Sequence, residues 1–428
     1  MKRIILFLVA AIVLASAAVI GIQTYYDPGS DEPGVAAADT VQQIARGEYL
    51  ARAGDCMACH TTRGGAAFAG GRVIPTPFGN LYSPNLTPDV ATGIGSWSEN
   101  DFWRAMHNGK SKDGRFLYPA FPYTNYTKIT RADADALFTY FKSLPAVQQP
   151  NRAHELRFPY NQRVLLSAWR ALYFRSGVYQ PDASHSAEWN RGAYLVQGLG
   201  HCNACHTNRN HLGATEQDVD LAGGLIPILG WYAPSLTSDT EAGLGNWDKQ
   251  HIVDLLKSGV SPRSTVFGPM AEVVSNSLQH LSDQDVNAMA DYLKSLPLTS
   301  TPPATNEMEV AASQKAEAIA RGARLYQDRC SDCHQKTGKG MPPAYPPLAG
   351  NRAITMPSSI NPIRMVLNGG YPPSTTDNPR PYGMQPFGPT MNDADVADVV
   401  SYIRNAWGNE APMVSPVQVS RYRAVPVE

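Results

Sequence analysis

The chain is expected to be all-α, built as three tandem helical domains behind an N-terminal apolar segment, and three observations predict this. A five-residue pattern occurs three times, as Cys56-Met57-Ala58-Cys59-His60, Cys202-Asn203-Ala204-Cys205-His206 and Cys330-Ser331-Asp332-Cys333-His334, and uses all six cysteines of the 428 residues. Each copy is preceded by a similar helix heading and followed, roughly a domain later, by a similar closing helix. Strand signals are sparse. The 35 glycines and 34 prolines fall largely between the periodic segments, as expected of short helices joined by long loops.

The first element is Met1-Lys2-Arg3 followed by an uncharged apolar run from Ile4 to Ile22. Nineteen helical residues at about 1.5 Å each reach about 28 Å, close to the roughly 30 Å of bilayer hydrocarbon. Residues 1–26 therefore read as a retained anchor, or as a signal peptide cleaved at the Ala15-Ser16-Ala17 pattern. Either reading exports the remainder of the chain and leaves Lys2 and Arg3 on the cytoplasmic side. Residues 27–40, rich in Pro, Gly, Asp and Ala, read as a flexible tether.

The three repeats are assigned to residues 41–150, 185–300 and 315–410. Their opening helices carry Arg46-Gly47-Glu48-Tyr49-Leu50, Arg191-Gly192-Ala193-Tyr194-Leu195 and Arg321-Gly322-Ala323-Arg324-Leu325. Their closing helices begin at Thr130, Ser282 and Asn392, each with an aspartate three residues on, which resembles a capping box with Asp in place of Glu. The first two closing helices stop at Leu144-Pro145 and Leu296-Pro297. The first two repeats also share Pro84-Asn85-Leu86-Thr87 with Pro234-Ser235-Leu236-Thr237, a segment that Pro347-Leu348-Ala349-Gly350-Asn351 replaces in the third. Residues 151–184 form a linker with an amphipathic helix of about three turns between Leu156 and Phe174, fit for packing between domains or against a membrane or partner. A second linker covers 301–314, and the tail 411–428 shows no helical period.

The repeated pattern reads as c-type haem attachment. Two cysteines three apart on a helical turn can form thioethers to the two haem vinyl groups, and the adjacent histidine supplies the iron ligand. Cys56, Cys59, Cys202, Cys205, Cys330 and Cys333 would hold the porphyrins, and His60, His206 and His334 the iron. A zinc site would join one CxxC to another, a redox dithiol would not require the histidine three times, and disulfides would leave those histidines unexplained. A net charge of −1 implies no nucleic-acid binding.

A second axial ligand is expected from each ligand loop. Met270 in Phe267-Gly268-Pro269-Met270 serves the second haem, and Met384 the third, with Met391 as its competitor beside the closing helix. The first loop has Phe121, which cannot bind iron. His107 and Met106 are the nearby candidates, with core packing the alternative role for Met106 and a surface position that for His107; a vacant or water-bound iron is the third possibility.

This order of elements resembles that of class I cytochrome c. Over nearly its whole length the chain resembles the triple-haem cytochrome c subunits of bacterial membrane-bound alcohol, gluconate, fructose and aldehyde dehydrogenases. Leu117-Tyr118-Pro119-Ala120-Phe121-Pro122-Tyr123, Phe158-Pro159-Tyr160-Asn161-Gln162-Arg163, Pro381-Tyr382-Gly383-Met384 and Tyr402-Ile403-Arg404-Asn405-Ala406-Trp407-Gly408-Asn409 carry the likeness. It implies three covalently bound haem c groups relaying electrons from a catalytic dehydrogenase subunit to membrane quinone or a terminal oxidase, on the periplasmic side of a bacterial inner membrane. Phe121 leans the expected partner toward a molybdenum-dependent aldehyde or N-heterocycle dehydrogenase, ahead of quinoprotein alcohol and flavoprotein sugar enzymes. The chain shows no nucleotide, flavin or molybdenum motif of its own, so substrate oxidation is expected elsewhere. A peroxidase-like enzyme with an open first haem is the rival reading.

Overall fold

A computed structural model of the chain describes residues 1–30, 32–34, 40–239, 243–299 and 312–425. Most of the linker at 301–314, and residues 31 and 35–39 of the tether at 27–40, lie outside the described residues. The chain divides into two compact units, one of residues 1–185, 193–201 and 211–214, the other of 186–192, 202–210 and 215–428.

The helix Lys2–Tyr25 buries none of its side chains in protein. It ends where Tyr26 turns extended, and Asp27, which precedes Pro28, is disfavoured from resuming the helix. The stretch beginning at Asp27 is not a free tether. Lys110, 1 % exposed, pairs with Asp27 and donates to the Thr24 carbonyl at 3.0 Å. Asn108 Nδ2 and Trp103 Nε1 donate to the Pro28 and Gly29 carbonyls, and Arg131 to that of Glu32.

Each haem-motif segment pairs an opening helix with a closing one: Thr40–Ala53 with Arg131–Ser143, Ala187–Gln197 with Asp283–Ser295, and Ala312–Arg329 with Asp393–Ile403. The repeated Arg-Gly heading explains the pairing. A Cβ on Gly47, Gly192 or Gly322 would fall 2.0, 1.9 or 2.1 Å from a carbonyl oxygen of the closing helix, so only glycine lets the two backbones cross this closely. The arginine one residue earlier then reaches the closing helix: Arg46 to Asp133, Arg191 to both oxygens of Asp285, and Arg321 to both of Asp398.

This pairing also corrects the expected caps. Thr130, Ser282 and Asn392 all accept from the amide three residues on, but the reciprocal half of the box forms only at Asn392 and Asp395. In the first two helices that aspartate is Asp133 or Asp285, whose carboxylate engages the arginine instead.

The fold is predominantly helical, with two small antiparallel sheets that qualify the all-α expectation. Val73–Thr76 pairs with Gly79–Tyr82, which also pairs with Glu155–Leu156; Gly224–Ile226 pairs with Trp231–Ala233. The linker helix is shorter than expected, running Leu166–Tyr173 after a 3-10 turn at Arg163–Leu165, and Arg170 lies buried on its inner face. The tail is not irregular. Ser415 and Gln418 form a capping box on the helix Pro416–Arg423, which buries Val419 in the core of the third segment beside Val396 and Ile363.

Candidate haem centres

The opening helices end just short of the cysteines, and a separate turn of helix carries each motif: Cys56–His60, Asn203–His206 and Ser331–His334. Asp55 and His201, immediately before the first cysteine of two motifs, adopt positive φ (48° and 34°) and set the turn apart from the helix before it. Cysteines three apart then share one face, with the histidine next in line. None of the six is in a disulfide. Burial pushes the thiols of Cys56 and Cys202 up to about 12 and that of Cys330 to about 11, the reverse of the acidified thiolate a redox dithiol requires.

The three imidazoles are held alike, by backbone rather than side chains. Nδ1 of His60 donates to the Pro84 carbonyl at 2.8 Å, that of His206 to Pro234 at 2.6 Å, and that of His334 to Pro346 at 3.0 Å. With Nδ1 committed as a donor, Nε2 carries the lone pair that would bind a metal, and the hydrogen bond holds the ring in place. Burial lowers His60 and His206 to about 4 and lowers His334 too, which keeps the rings in the neutral, ligating form. The hairpins set the acceptors: strands Gly79–Tyr82 and Trp231–Ala233 lead directly to Pro84 and Pro234. In the third segment a tight loop closed by reciprocal Met341 and Tyr345 backbone bonds presents Pro346 instead.

The cytochrome c family matches residues 44–145, 190–297 and 319–407, each span enclosing one motif and its closing helix. The chain belongs to the cytochrome c family. It is 41 % identical over 383 residues to the gluconate 2-dehydrogenase cytochrome c subunit of Pantoea cypripedii, covering 86 % of each chain. It is 39 % identical over 400 residues to the cytochrome c subunit of the quinone alcohol dehydrogenase of Gluconobacter oxydans, covering 90 % of this chain and 83 % of that one. Against a nicotinate dehydrogenase subunit of Pseudomonas putida it is 42 % identical over 373 residues, which is 86 % of this chain and 31 % of the other.

The donor sets of this cytochrome fit three covalent haem c groups: paired thiols outside disulfides, and a neutral, immobilised imidazole beside each pair. The loops opposite differ. Met270 is half-buried in the first turn of the helix Pro269–Asn276. Met384 is half-buried against the third core, in a loop closed by two backbone bonds with Gly370. Met391, by contrast, is 6 % exposed within that core, among Phe387 and Val396.

In the first segment Phe121 packs on Tyr126 at 5.2 Å, and Tyr126 reaches the Gly54 carbonyl just ahead of the motif. Met106 is a core residue, 5 % exposed. His107 does not take the surface position that is its alternative role, for it is 3 % exposed. Its ring stacks on Trp103 at 4.4 Å, Nδ1 donates to the Thr127 carbonyl at 3.0 Å, and Nε2 sits under Gly29.

Arg352 belongs to the second site although no sequence pattern marks it. This buried guanidinium donates to the Ser235 carbonyl and lies over the Trp247 ring at 4.9 Å, beside the loop that holds His206.

Proposed function

We propose that this cytochrome is the electron-transfer subunit of a membrane-bound dehydrogenase complex, with three tandem class I domains passing electrons from a catalytic subunit to membrane quinone or a terminal oxidase. The observation that carries the reading is the threefold recurrence of a histidine fixed by a proline carbonyl beside paired cysteines. Each haem, when bound, supplies a single-electron couple at its iron. The chain's own residues make that couple permanent, through Cys56, Cys59, Cys202, Cys205, Cys330 and Cys333, and orient it through His60, His206 and His334.

Met270 and Met384 complete the second and third irons in this reading, supported by their half-buried positions, Met270 in the first turn of a helix and Met384 in a loop against the third core. For the first iron, a vacant or water-bound distal position is favoured over His107 and Met106. Supporting it are the two ring nitrogens of His107, one hydrogen-bonded to Thr127 and the other packed under Gly29, and the burial of Met106 in the core.

The helix Lys2–Tyr25 anchors the chain, placing the haem domains on the periplasmic face of a bacterial inner membrane; its 24 apolar-rich residues, none buried in protein, support this. Two observations bear on the catalytic partner. Phe121 and the nicotinate dehydrogenase relative support a molybdenum-dependent aldehyde or N-heterocycle enzyme, whereas the near full-length matches to gluconate and alcohol dehydrogenase subunits support a sugar-acid or alcohol enzyme. Solubilising the native membrane in mild detergent tests the proposal: a large cofactor-bearing polypeptide should co-purify, and its cofactor separates the two partner classes. Isolation of the cytochrome as a single polypeptide would overturn it. A peroxidase-like reading predicts instead that the isolated chain turns over peroxide at its open haem.

A further inference from the structure

Around the exit of the N-terminal helix lies an apolar surface that the electron-transfer reading does not use. The helix Leu166–Tyr173 packs against the helix Lys2–Tyr25. The positions of the apolar run that lose exposure are Val19 and Gly21, with Gln23 following. The contact is bolted in place: Arg170 donates to Gln23 Oε1 at 3.1 Å and to the Asn108 carbonyl at 2.7 Å, while Lys110 holds Thr24 and Asp27. Val19 lies four residues inside Gln23, about 6 Å along the helix axis. An anchor that immerses its apolar run therefore carries this flanking helix to the depth of the headgroups.

The outward side of the flank suits that depth. Leu172 is 65 % exposed on a helix whose other face buries Leu166 and Arg170, and Leu165 and Val164, in the 3-10 turn before it, are 51 % and 50 % exposed. The patch continues through Trp169, whose Nε1 donates to the carbonyl of Leu212, to the Phe78 and Tyr160 rings, 4.5 Å apart, and on to Phe158, 79 % exposed. Between residues 156 and 180 the chain has four arginines and no aspartate or glutamate. Exposed leucines, interfacial tryptophan and tyrosine, and the exposed Arg157 and Arg175 are the composition of a segment that lies in a lipid interface rather than one that meets water.

We propose that the segment Phe158–Tyr173 is a second membrane contact, lying in the headgroup region of the same bilayer with Val164, Leu165 and Leu172 directed into the acyl chains. It fixes the tilt and rotation of the first haem domain relative to the bilayer, which a single spanning helix bolted to that domain leaves undetermined. The inference rests on the anchor reading, and its test separates the two.

The full haem-loaded chain is reconstituted in vesicles of phosphatidylethanolamine and phosphatidylglycerol, with benzoylphenylalanine replacing one residue at a time, and phospholipid adducts are counted after irradiation. Leu165 and Leu172 should give at least tenfold more adduct than Val90, an exposed residue of the loop after Thr87, and approach the yield at Leu8 in the anchor. Yields at Leu165 and Leu172 no higher than at Val90, with Leu8 still labelled, would overturn the second contact alone. Failure at Leu8 as well would overturn the anchor. In native membranes, adducts at Leu172 with a protein subunit instead of lipid would also reject the proposal.

Discussion

Arg352 donates a 2.8 Å hydrogen bond to the carbonyl of Ser235, one residue beyond the Pro234 carbonyl that holds His206. Burial lowers this guanidinium to about 10, which leaves it charged at neutral pH, and no carboxylate among the described residues pairs with it. The same charge helps to depress His206, after burial itself. A fixed positive charge beside the proximal ligand favours the ferrous state, which carries one positive charge fewer.

Removing that charge should lower one midpoint potential. Arg352→Gln is expected to shift the oxidised-to-reduced ratio of the second haem by about tenfold, about 59 mV for a one-electron couple, while the other two hold. Arg352→Lys should recover much of the shift. Spectroelectrochemical titration reads both, and a purely structural role would not distinguish the two variants.

Met270→Leu and Met384→Leu should each lower one potential and open one haem to carbon monoxide, because a thioether ligand raises the potential and closes the site. Met391→Leu is the control. Its side chain lies in the core, so the volume-conserving change should cost less than about 1.5 kcal/mol and leave all three potentials in place. Unchanged potentials in either ligand variant would reject that assignment.

The helix crossings predict a sharp contrast in stability. Gly322→Ala places a methyl 2.1 Å from the Asp398 carbonyl and should cost about 1–3 kcal/mol. Gly177→Ala meets nothing within 4 Å and should stay within about 0.5 kcal/mol of the parent. Thermal melting of the holoprotein checks both.

The cysteines and histidines of the three sites were legible because their chemistry fixes residue type and spacing along the chain. The caps at Thr130, Ser282 and Asn392 were legible for the same reason. The acceptors Pro84, Pro234 and Pro346 were not, since a backbone carbonyl has no side-chain signature; the shared Pro-x-Leu-Thr segment marked the first two, and in the third the carbonyl used lies one residue before the aligned Pro347. His107 misled because its burial comes from the turn at Gly29, far away in sequence. The tail helix was missed although Ser415-Pro416-Val417-Gln418 carries its cap, because its apolar positions form no stripe.

His154 should make the first sheet sensitive to acid. Its Nδ1 accepts from the Tyr82 amide at 3.2 Å, and burial, then Arg163 and Arg115, lower its pKa in the fold. The unfolded chain therefore takes up the proton first, so stability is present above about pH 6.5 and declines as pH falls toward the depressed value. Hydrogen exchange at the Tyr82 amide, corrected for its intrinsic pH dependence, should lose protection as pH falls below about 6.5, and His154→Gln should flatten that loss.

Intact mass spectrometry after acid acetone extraction addresses the haem attachment itself. One polypeptide should retain the mass of three tetrapyrroles, with one lost on each paired replacement of Cys56 and Cys59, Cys202 and Cys205, or Cys330 and Cys333 by alanine. A mass without added tetrapyrrole, or one unchanged by any of those replacements, would contradict covalent attachment at these sites.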